Sequence, residues 1–365
     1  MDQLRIGIIG CGIGSFHAAA WAKEPRAVIV ALAGQEPEQC ARICAEHGIP
    51  DLYRDYRELI SRPDIDAVSI ATPNYLHLPM ATAAFAADKH VLLEKPIGLN
   101  AAEGEAIVRA ANAAGKMLGI FLSKRHAADM DALRAHVQTG ALGEIYYAKA
   151  FWMRRSGIPS HSSWFAQKAL AGGGPLIDLG VHVLDMALFL MGNPEVTTAS
   201  AATFAKLGPN GKGNMRGAQP QSRQNQSYEV EDLATAFLRT ETGAVIQLEA
   251  SWACYSPAND EYGITLMGDR GGAEIRVNDY VKTNTLRFMG DAVDMTPHLQ
   301  PQEEHLQIVT RFVDAVLSGE PMSPSGEEGL ARTRVIDAIY ASAALGREVR
   351  LDEAVVATPP NFNHE

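Results

Sequence analysis

Cysteine is scarce in this chain: four in 365 residues, at Cys11, Cys40, Cys44 and Cys254. A disulfide-stapled scaffold uses more of them in a shorter chain, so an apolar core has to hold the fold. Cys40 and Cys44 stand four apart in a helical pattern, a spacing that a metal accepts. No His or Cys follows at ligand spacing, however. Cys40 and Cys44 are expected to be small buried hydrophobes, and no metal is expected. Lys and Arg form no dense cluster, and the formal charge is −11. Phosphate neutralisation needs a basic face, which excludes nucleic acid as the main partner. No run approaches the roughly 18 apolar residues of a membrane span, so no membrane partner is expected. The first residues, Met1 to Arg5, enter a strand at once and leave no room for a secretory leader. The expectation is a cytoplasmic protein.

What is present is an ordinary globular composition, with 47% hydrophobic and 21% charged residues over a length that exceeds one comfortable core. Two domains are expected. Apolar runs at Leu4 to Ile9, Ala27 to Ala33, Asp66 to Ala71, His90 to Glu94 and Met117 to Leu122 read as strands. Helical patterns lie between them, through His17 to Lys23, Pro37 to His47, Leu78 to Ala87 and Ala101 to Ala114. Strands and helices alternating at this pace imply a parallel sheet covered on both faces. The first domain is therefore placed at 1–123 and the second at 124–365. In the second, Ile145 to Trp152, Val196 to Phe204, Leu233 to Arg239, Ala244 to Trp252, Tyr262 to Met267 and Gly272 to Val277 follow as β runs. They favour a mainly antiparallel sheet. Helices are expected at Leu176 to Met191, Glu304 to Ser318 and Glu327 to Leu345. The polar stretch Lys206 to Ser227 carries four basic residues and no acid. A loop this long either reaches over a site or a subunit boundary, or is a solvated excursion.

Gly10-Cys11-Gly12-Ile13-Gly14 stands where a strand runs into a helix. Glycines there let the backbone approach a pyrophosphate, which the helix N–H groups face. The turn is one residue short, since the third glycine of the usual fingerprint falls on Ser15. The end of the second strand usually carries an acid for a ribose hydroxyl. Here it reads Gly34-Gln35-Glu36, with Glu36 two residues late and no Lys or Arg nearby to receive a 2′-phosphate. NAD is thus favoured over NADP, although Glu36 also suits a solvated helix start. Thr72-Pro73-Asn74 either lines a cofactor crevice or is a plain strand-to-helix loop in which Asn74 caps a helix. Lys95 before Pro96 sits at a strand end, in reach of a substrate hydroxyl or simply snorkelling at the surface. Asp178 and His182 are four apart on one helical face, as a general base and its supporting acid require. The alternative is a capping Asp and a core His. Gly172-Gly173-Gly174 ahead of them would let the chain approach a ligand closely. His161 and Trp164 could line a sugar, or be a surface His and a core Trp.

Taken together, these motifs resemble the Gfo/Idh/MocA oxidoreductases, the family of glucose–fructose oxidoreductase and inositol dehydrogenase. The resemblance rests on Ile8-Ile9-Gly10-Cys11-Gly12 with His17, Ala71-Thr72-Pro73-Asn74 with His77, Glu94-Lys95-Pro96, and Gly173 through His182. Gly140 through Ile145 and Ser163-Trp164 add to it. It implies an α/β chain with an N-terminal Rossmann domain, a doubly wound parallel sheet, followed by a C-terminal α/β domain with an open, mainly antiparallel sheet. That open sheet often carries the oligomer contact, so a homo-oligomer, dimer or tetramer, is expected. By the family pattern NAD or NADP is held by Gly10, Gly12, Ile13, Gly14, Gln35, Glu36, Thr72, Pro73, Asn74, His77, Glu94 and Lys95. Lys95 contacts the reacting hydroxyl, His182 takes its proton and Asp178 supports His182. His161 and Trp164 join these three around the substrate. No metal is required, since Lys95 and His182 do the polarising. The implied activity is hydride transfer between nicotinamide and a hydroxyl-bearing carbon of a sugar, cyclitol or sugar derivative. Two other classes share the motifs. One is glycosidases that oxidise, eliminate and reduce again on a retained NAD. The other is regulators that bind dinucleotide without catalysis, against which an intact Lys95, Asp178 and His182 argues.

Overall fold

A computed structural model describes residues 3–161, 163–215 and 228–354 of the chain. The first compact unit comprises Met1–His126 and Glu303–Ala331. Its elements are β1 (Leu4–Ile9), α1 (Gly14–Trp21), β2 (Ala27–Ala33), α2 (Pro37–His47), β3 (Asp51–Tyr53), α3 (Tyr56–Ile60), β4 (Ala67–Ile70), α4 (His77–Ala86), β5 (His90–Leu93), α5 (Ala101–Ala114) and β6 (Leu118–Ile120). The six strands lie in the order β3-β2-β1-β4-β5-β6, every neighbouring pair parallel. The order reverses between β1 and β4, and ligands of open α/β sheets bind at that switch point, outside the carboxyl ends of the strands. Local chemistry sets the helix limits. Pro37 opens α2 and Gly48, at φ +64°, closes it. The Asn100 side chain accepts from Glu103 N to start α5, and Gly115, at φ +63°, ends it.

The helix Glu304–Ser318 packs into this first unit, although a single cut at residue 123 would have assigned it to the second. The reason is its apolar face. Ile308, Val309, Phe312 and Val313 are buried in one cluster with Leu4, Ile6, Ile8 and Trp21. Each such side chain contributes about 1.5–3 kcal/mol by leaving water.

The second unit comprises Ala127–Gln302 and Arg332–Glu365. It holds α6 (Ala128–Gln138), β7 (Ile145–Arg154), α7 (Lys168–Ala171), a π-helical turn at Leu176–Gly180, α8 (Val181–Leu190), β8 (Val196–Phe204), β9 (Leu233–Thr240), β10 (Val245–Ser251), β11 (Asp260–Gly268), β12 (Gly272–Asn278), β13 (Leu286–Met289), β14 (Asp294–Met295) and β15 (Val349–Arg350). These strands form one sheet, β14-β13-β12-β11-β7-β10-β9-β8-β15, antiparallel throughout except for β7 with β10. Alternation along β7 marks its two faces. Ala148, Ala150 and Trp152 are buried, whereas Tyr147, Lys149, Phe151 and Met153 are partly exposed.

In α8 every residue but Phe189 is buried, including Asp185, whose carboxylate accepts from Arg332 Nε at 2.9 Å. This corrects the expectation that no stretch reaches spanning length. Lys168–Leu190 is long and apolar enough by length and composition, and 83% of its most apolar window is buried inside the structure. Core burial accounts for its apolarity. Of the polar stretch 206–227, only 206–215 lies within the described residues. It contains a short turn at Gly208–Asn210, and Asn214 bridges to Ile158.

Candidate active site

The turn after β1 has the features of an anion cradle. Gly10 takes φ +106°, and a Cβ there would overlap the Ala71 carbonyl at the end of β4. This glycine is required by the crossing of two strand ends. At Gly12, by contrast, a Cβ would meet nothing within 4 Å, so the exposed backbone there is open to a ligand. Gly14 already belongs to α1. The position ahead of it is the exposed Ile13, whose side chain caps nothing, while Ser15 N and Phe16 N donate to Gly12 O at 3.3 Å and Ile13 O at 2.9 Å as the helix begins. These residues fit a pyrophosphate.

The end of β2 explains the missing acid. Cys11 and Cys40 form a disulfide here, so Cys40 is not the simple buried hydrophobe expected of it. A Cβ at Gly34 would overlap Cys11 Sγ and lie 2.5 Å from Cys40 Sγ, so an Asp has no room. Gln35 Nε2 donates to Arg54 O at 2.7 Å, and Glu36 is exposed at the start of α2. The ligating atoms of Cys11, Glu36 and Cys40 lie within 4.8 Å of one another. The sulfurs are bonded to each other, however, and a soft metal needs thiolates.

After β4, Thr72 Oγ1 donates to Met80 Sδ at 3.5 Å. Asn74 is buried in a short helical turn whose preceding residue is Pro73, so it is not the cap its position suggested. His77 is wholly buried, with Nδ1 2.8 Å from Pro96 O and Nε2 3.0 Å from Thr72 O. Burial holds its imidazole below the ordinary value, against the pull of the two carbonyls. It was expected among the cofactor contacts. Its ring braces the Thr72 loop against the Lys95-Pro96 segment. Glu94 is also turned inward. Its Oε1 accepts from His17 Nε2 at 2.8 Å and its Oε2 from Lys95 N at 3.0 Å. A carboxylate only accepts, so the His17 proton sits on Nε2, and Ser69 Oγ meets Nδ1 at 2.8 Å. This buried chain holds the backbone of Lys95, which is partly exposed just past the carboxyl end of β5.

In the second unit, Asp178 lies in the π-helical turn and His182 in the first turn of α8. Such π turns are frequent at functional sites. Asp178 Oδ2 accepts from Trp252 Nε1 at 2.9 Å, and the His182 ring lies 5.7 Å from that of Trp152. His161 Nε2 donates to Gly208 O at 2.9 Å, its ring 5.4 Å from Tyr228, while Trp164 stacks on Phe165 at 3.9 Å. The glycines at 173 and 174 were expected to admit a ligand. They serve packing instead. A Cβ on Gly173 would overlap the Tyr340 hydroxyl, and one on Gly174 the Glu231 carbonyl.

Comparison with known proteins bears on both units. The NAD-binding Rossmann fold of the Gfo/Idh/MocA oxidoreductases matches residues 4–122, and the Gfo/Idh/MocA C-terminal domain matches 130–274. The chain belongs to the Gfo/Idh/MocA oxidoreductase family. It is 29% identical over 352 residues to a D-glucoside 3-dehydrogenase of Escherichia coli, covering 96% of this chain and 98% of the relative. To a levoglucosan dehydrogenase of Pseudarthrobacter phenanthrenivorans it is 27% identical, covering 94% and 97%. A solved levoglucosan dehydrogenase in complex with NADH and L-sorbose superposes with a TM-score of 0.85 at 26% identity, over 96% of this chain and 99% of that one.

Two residues of this Gfo/Idh/MocA chain stood out only in the structure. Trp252 lies just past β10, where its sequence position reads as the end of a buried strand. Glu231 is buried. It accepts from Gly174 N at 3.0 Å, Leu176 N at 3.1 Å and the hydroxyl of Tyr340 at 2.9 Å. Burial pushes its carboxyl up, against the pull of those donors. The one sequence signal was an adjacent acid pair, Glu231-Asp232, leading straight into an apolar strand.

Proposed function

We propose that this protein is an NAD(P)-dependent dehydrogenase, or reductase in the reverse direction, acting on a hydroxyl-bearing carbon of a sugar, cyclitol or sugar derivative. The observation that carries the reading is the carboxyl edge of the parallel sheet. There the open Gly12 turn at the start of α1 shares one edge with Lys95, whose backbone is anchored by Glu94. The sugar dehydrogenases to which the chain is similar, acting by name on glucosides and levoglucosan, support the substrate class.

Bound NAD(P) supplies the acceptor or donor of a hydride. Gly10, Gly12, Ile13 and Gly14 hold the pyrophosphate, and Thr72, Pro73 and Asn74 border it across the switch point. Gln35 and Glu36 face the ribose, and the Glu36 carboxylate favours a 2′-hydroxyl over a 2′-phosphate, hence NAD over NADP. Lys95 hydrogen-bonds the reacting hydroxyl and eases loss of its proton. His182 takes that proton and Asp178 supports the resulting imidazolium. In reverse, His182 returns the proton to a carbonyl oxygen. His161 and Trp164 line the sugar. The partly exposed face of the second sheet, with Tyr147, Phe151 and Phe237, supports assembly into a homo-oligomer.

Purified protein with NAD or NADP and a panel of sugars, inositols and anhydrosugars tests the reading by near-ultraviolet absorbance of reduced nicotinamide. A rising signal with one polyol is expected. Cofactor binding with no reduced nicotinamide across the panel, together with cleavage of a glycoside, would replace it with an oxidation–elimination glycosidase.

A further inference from the structure

We propose that Trp252 is a positioning residue for the proton-handling pair, holding the Asp178 carboxylate through an indole hydrogen bond. The inference rests on the proposed roles of Asp178 and His182 and adds a residue to them. An indole N–H only donates, so its buried partner has to be an acceptor. The acceptor here is Asp178 Oδ2, at 2.9 Å. A bond to an ionised acceptor is about twice as strong as a neutral one.

The indole is itself immobilised. Trp252 is fully buried, its ring meets Phe165 edge-on at 6.1 Å, and its backbone N donates to Asp232 O at 3.1 Å. Ser251 Oγ donates to the same carbonyl at 2.8 Å and accepts from Ala253 N at 3.1 Å. The other side of the bond is fixed as well. Asp178 N donates to Gly174 O at 3.2 Å, and Gly174 N and Leu176 N both donate to Glu231. Two adjacent residues, Glu231 and Asp232, therefore anchor the turn that carries Asp178 and the strand end that carries its indole donor. Asp232 reaches further: its Oδ2 accepts from Leu207 N and from Gly208 N, and the Gly208 carbonyl accepts from His161. A donor and an acceptor anchored on both sides hold Asp178 Oδ2 in place, as a group that must orient an imidazole requires.

The test is a double-mutant cycle in the full-length protein, Trp252→Phe against Asp178→Asn. It is read as kcat, KM and cofactor Kd, with thermal unfolding monitored alongside. Trp252→Phe should lower kcat by about ten- to a hundred-fold, the cost of a slightly misplaced group, and leave cofactor Kd within two-fold. In the Asp178→Asn background the same change should cost less than about two-fold more, because the bond it removes no longer serves a carboxylate. Equal losses in both backgrounds, or an unchanged kcat, would overturn the proposal. Should Trp252→Phe fail to fold, benzothienylalanine at position 252 keeps the ring's size and removes only the N–H donor. Retained turnover in His182→Ala would instead overturn the underlying reading. A dead His182→Ala beside a neutral Trp252→Phe would overturn this inference alone.

Discussion

His17 donates its Nε2 proton to Glu94 Oε1 at 2.8 Å, and both side chains are buried. Burial pushes the Glu94 carboxyl up, but the His17 hydrogen bond and the nearby charge of Lys95 hold it below its ordinary value of 4.5. The folded protein thus takes up this proton less readily than the unfolded chain. The ionised carboxylate contributes stability above that ordinary value, and the contribution is lost as pH falls through the lowered one.

Glu94→Gln should therefore be less stable than the parent near neutrality, by about 1–3 kcal/mol, the scale of a buried hydrogen bond to a charged group. The gap should close on acidification below about pH 4.5. Urea unfolding at neutral and acid pH measures it. A gap that stays constant across that range would contradict the assignment.

The two glycines of the turn after β1 should fail differently. Gly10→Ala meets the Ala71 carbonyl at a positive φ, and the loss should appear in folding, at about 1–3 kcal/mol or more. Gly12→Ala meets nothing in the protein. Its stability should change by less than about 0.5 kcal/mol, while the Kd for NAD rises at least about ten-fold as the backbone is held off the pyrophosphate. Thermal unfolding and a cofactor titration separate the two. Equal effects on both readouts would refute the distinction.

The Cys11–Cys40 disulfide makes a countable prediction. Denatured without reductant, the protein should expose the two thiols of Cys44 and Cys254; after reduction, all four cysteines react. Gly34→Asp should destabilise the parent by about 1–3 kcal/mol through overpacking. Most of that should return when Cys11 and Cys40 are both replaced by Ala. Four reactive thiols at the outset would remove the disulfide. A Gly34→Asp cost unchanged by the double replacement would show that the sulfurs are not what excludes the acid.

Much of the fold was legible because its limits are punctuated. Leu4–Ile9, Ala27–Ala33, Pro37–His47, Ala101–Ala114 and Glu304–Ser318 fall where they were expected, and Gly48, Gly115 and Gly319 close three of these helices in left-handed conformations. The three-residue β3 and the short α3 are too brief for any period to show, and α6 lies in a stretch where no pattern was read. The helix expected from Leu176 begins instead as a π turn, which periodicity cannot distinguish from an α-helix. Within the site, residue types with intrinsic chemistry could be read, such as Lys95 and His182. Roles that depend on long-range contact could not. Gly34 looked like a missing acid until the sulfurs beside it were seen. Gly173 and Gly174 looked like room for a ligand until Tyr340 and Glu231 were found filling it. His77 and Glu94 flank the crevice in sequence, and only the structure shows that their side chains face inward to brace it.

Whether His182 carries the proton is decided by turnover and NAD binding in His182→Ala, measured side by side. In that variant kcat should fall by about 10²–10⁴, the usual worth of a positioned general base, with cofactor Kd within two-fold of the parent. A kcat near that of the parent across the pH range would contradict it.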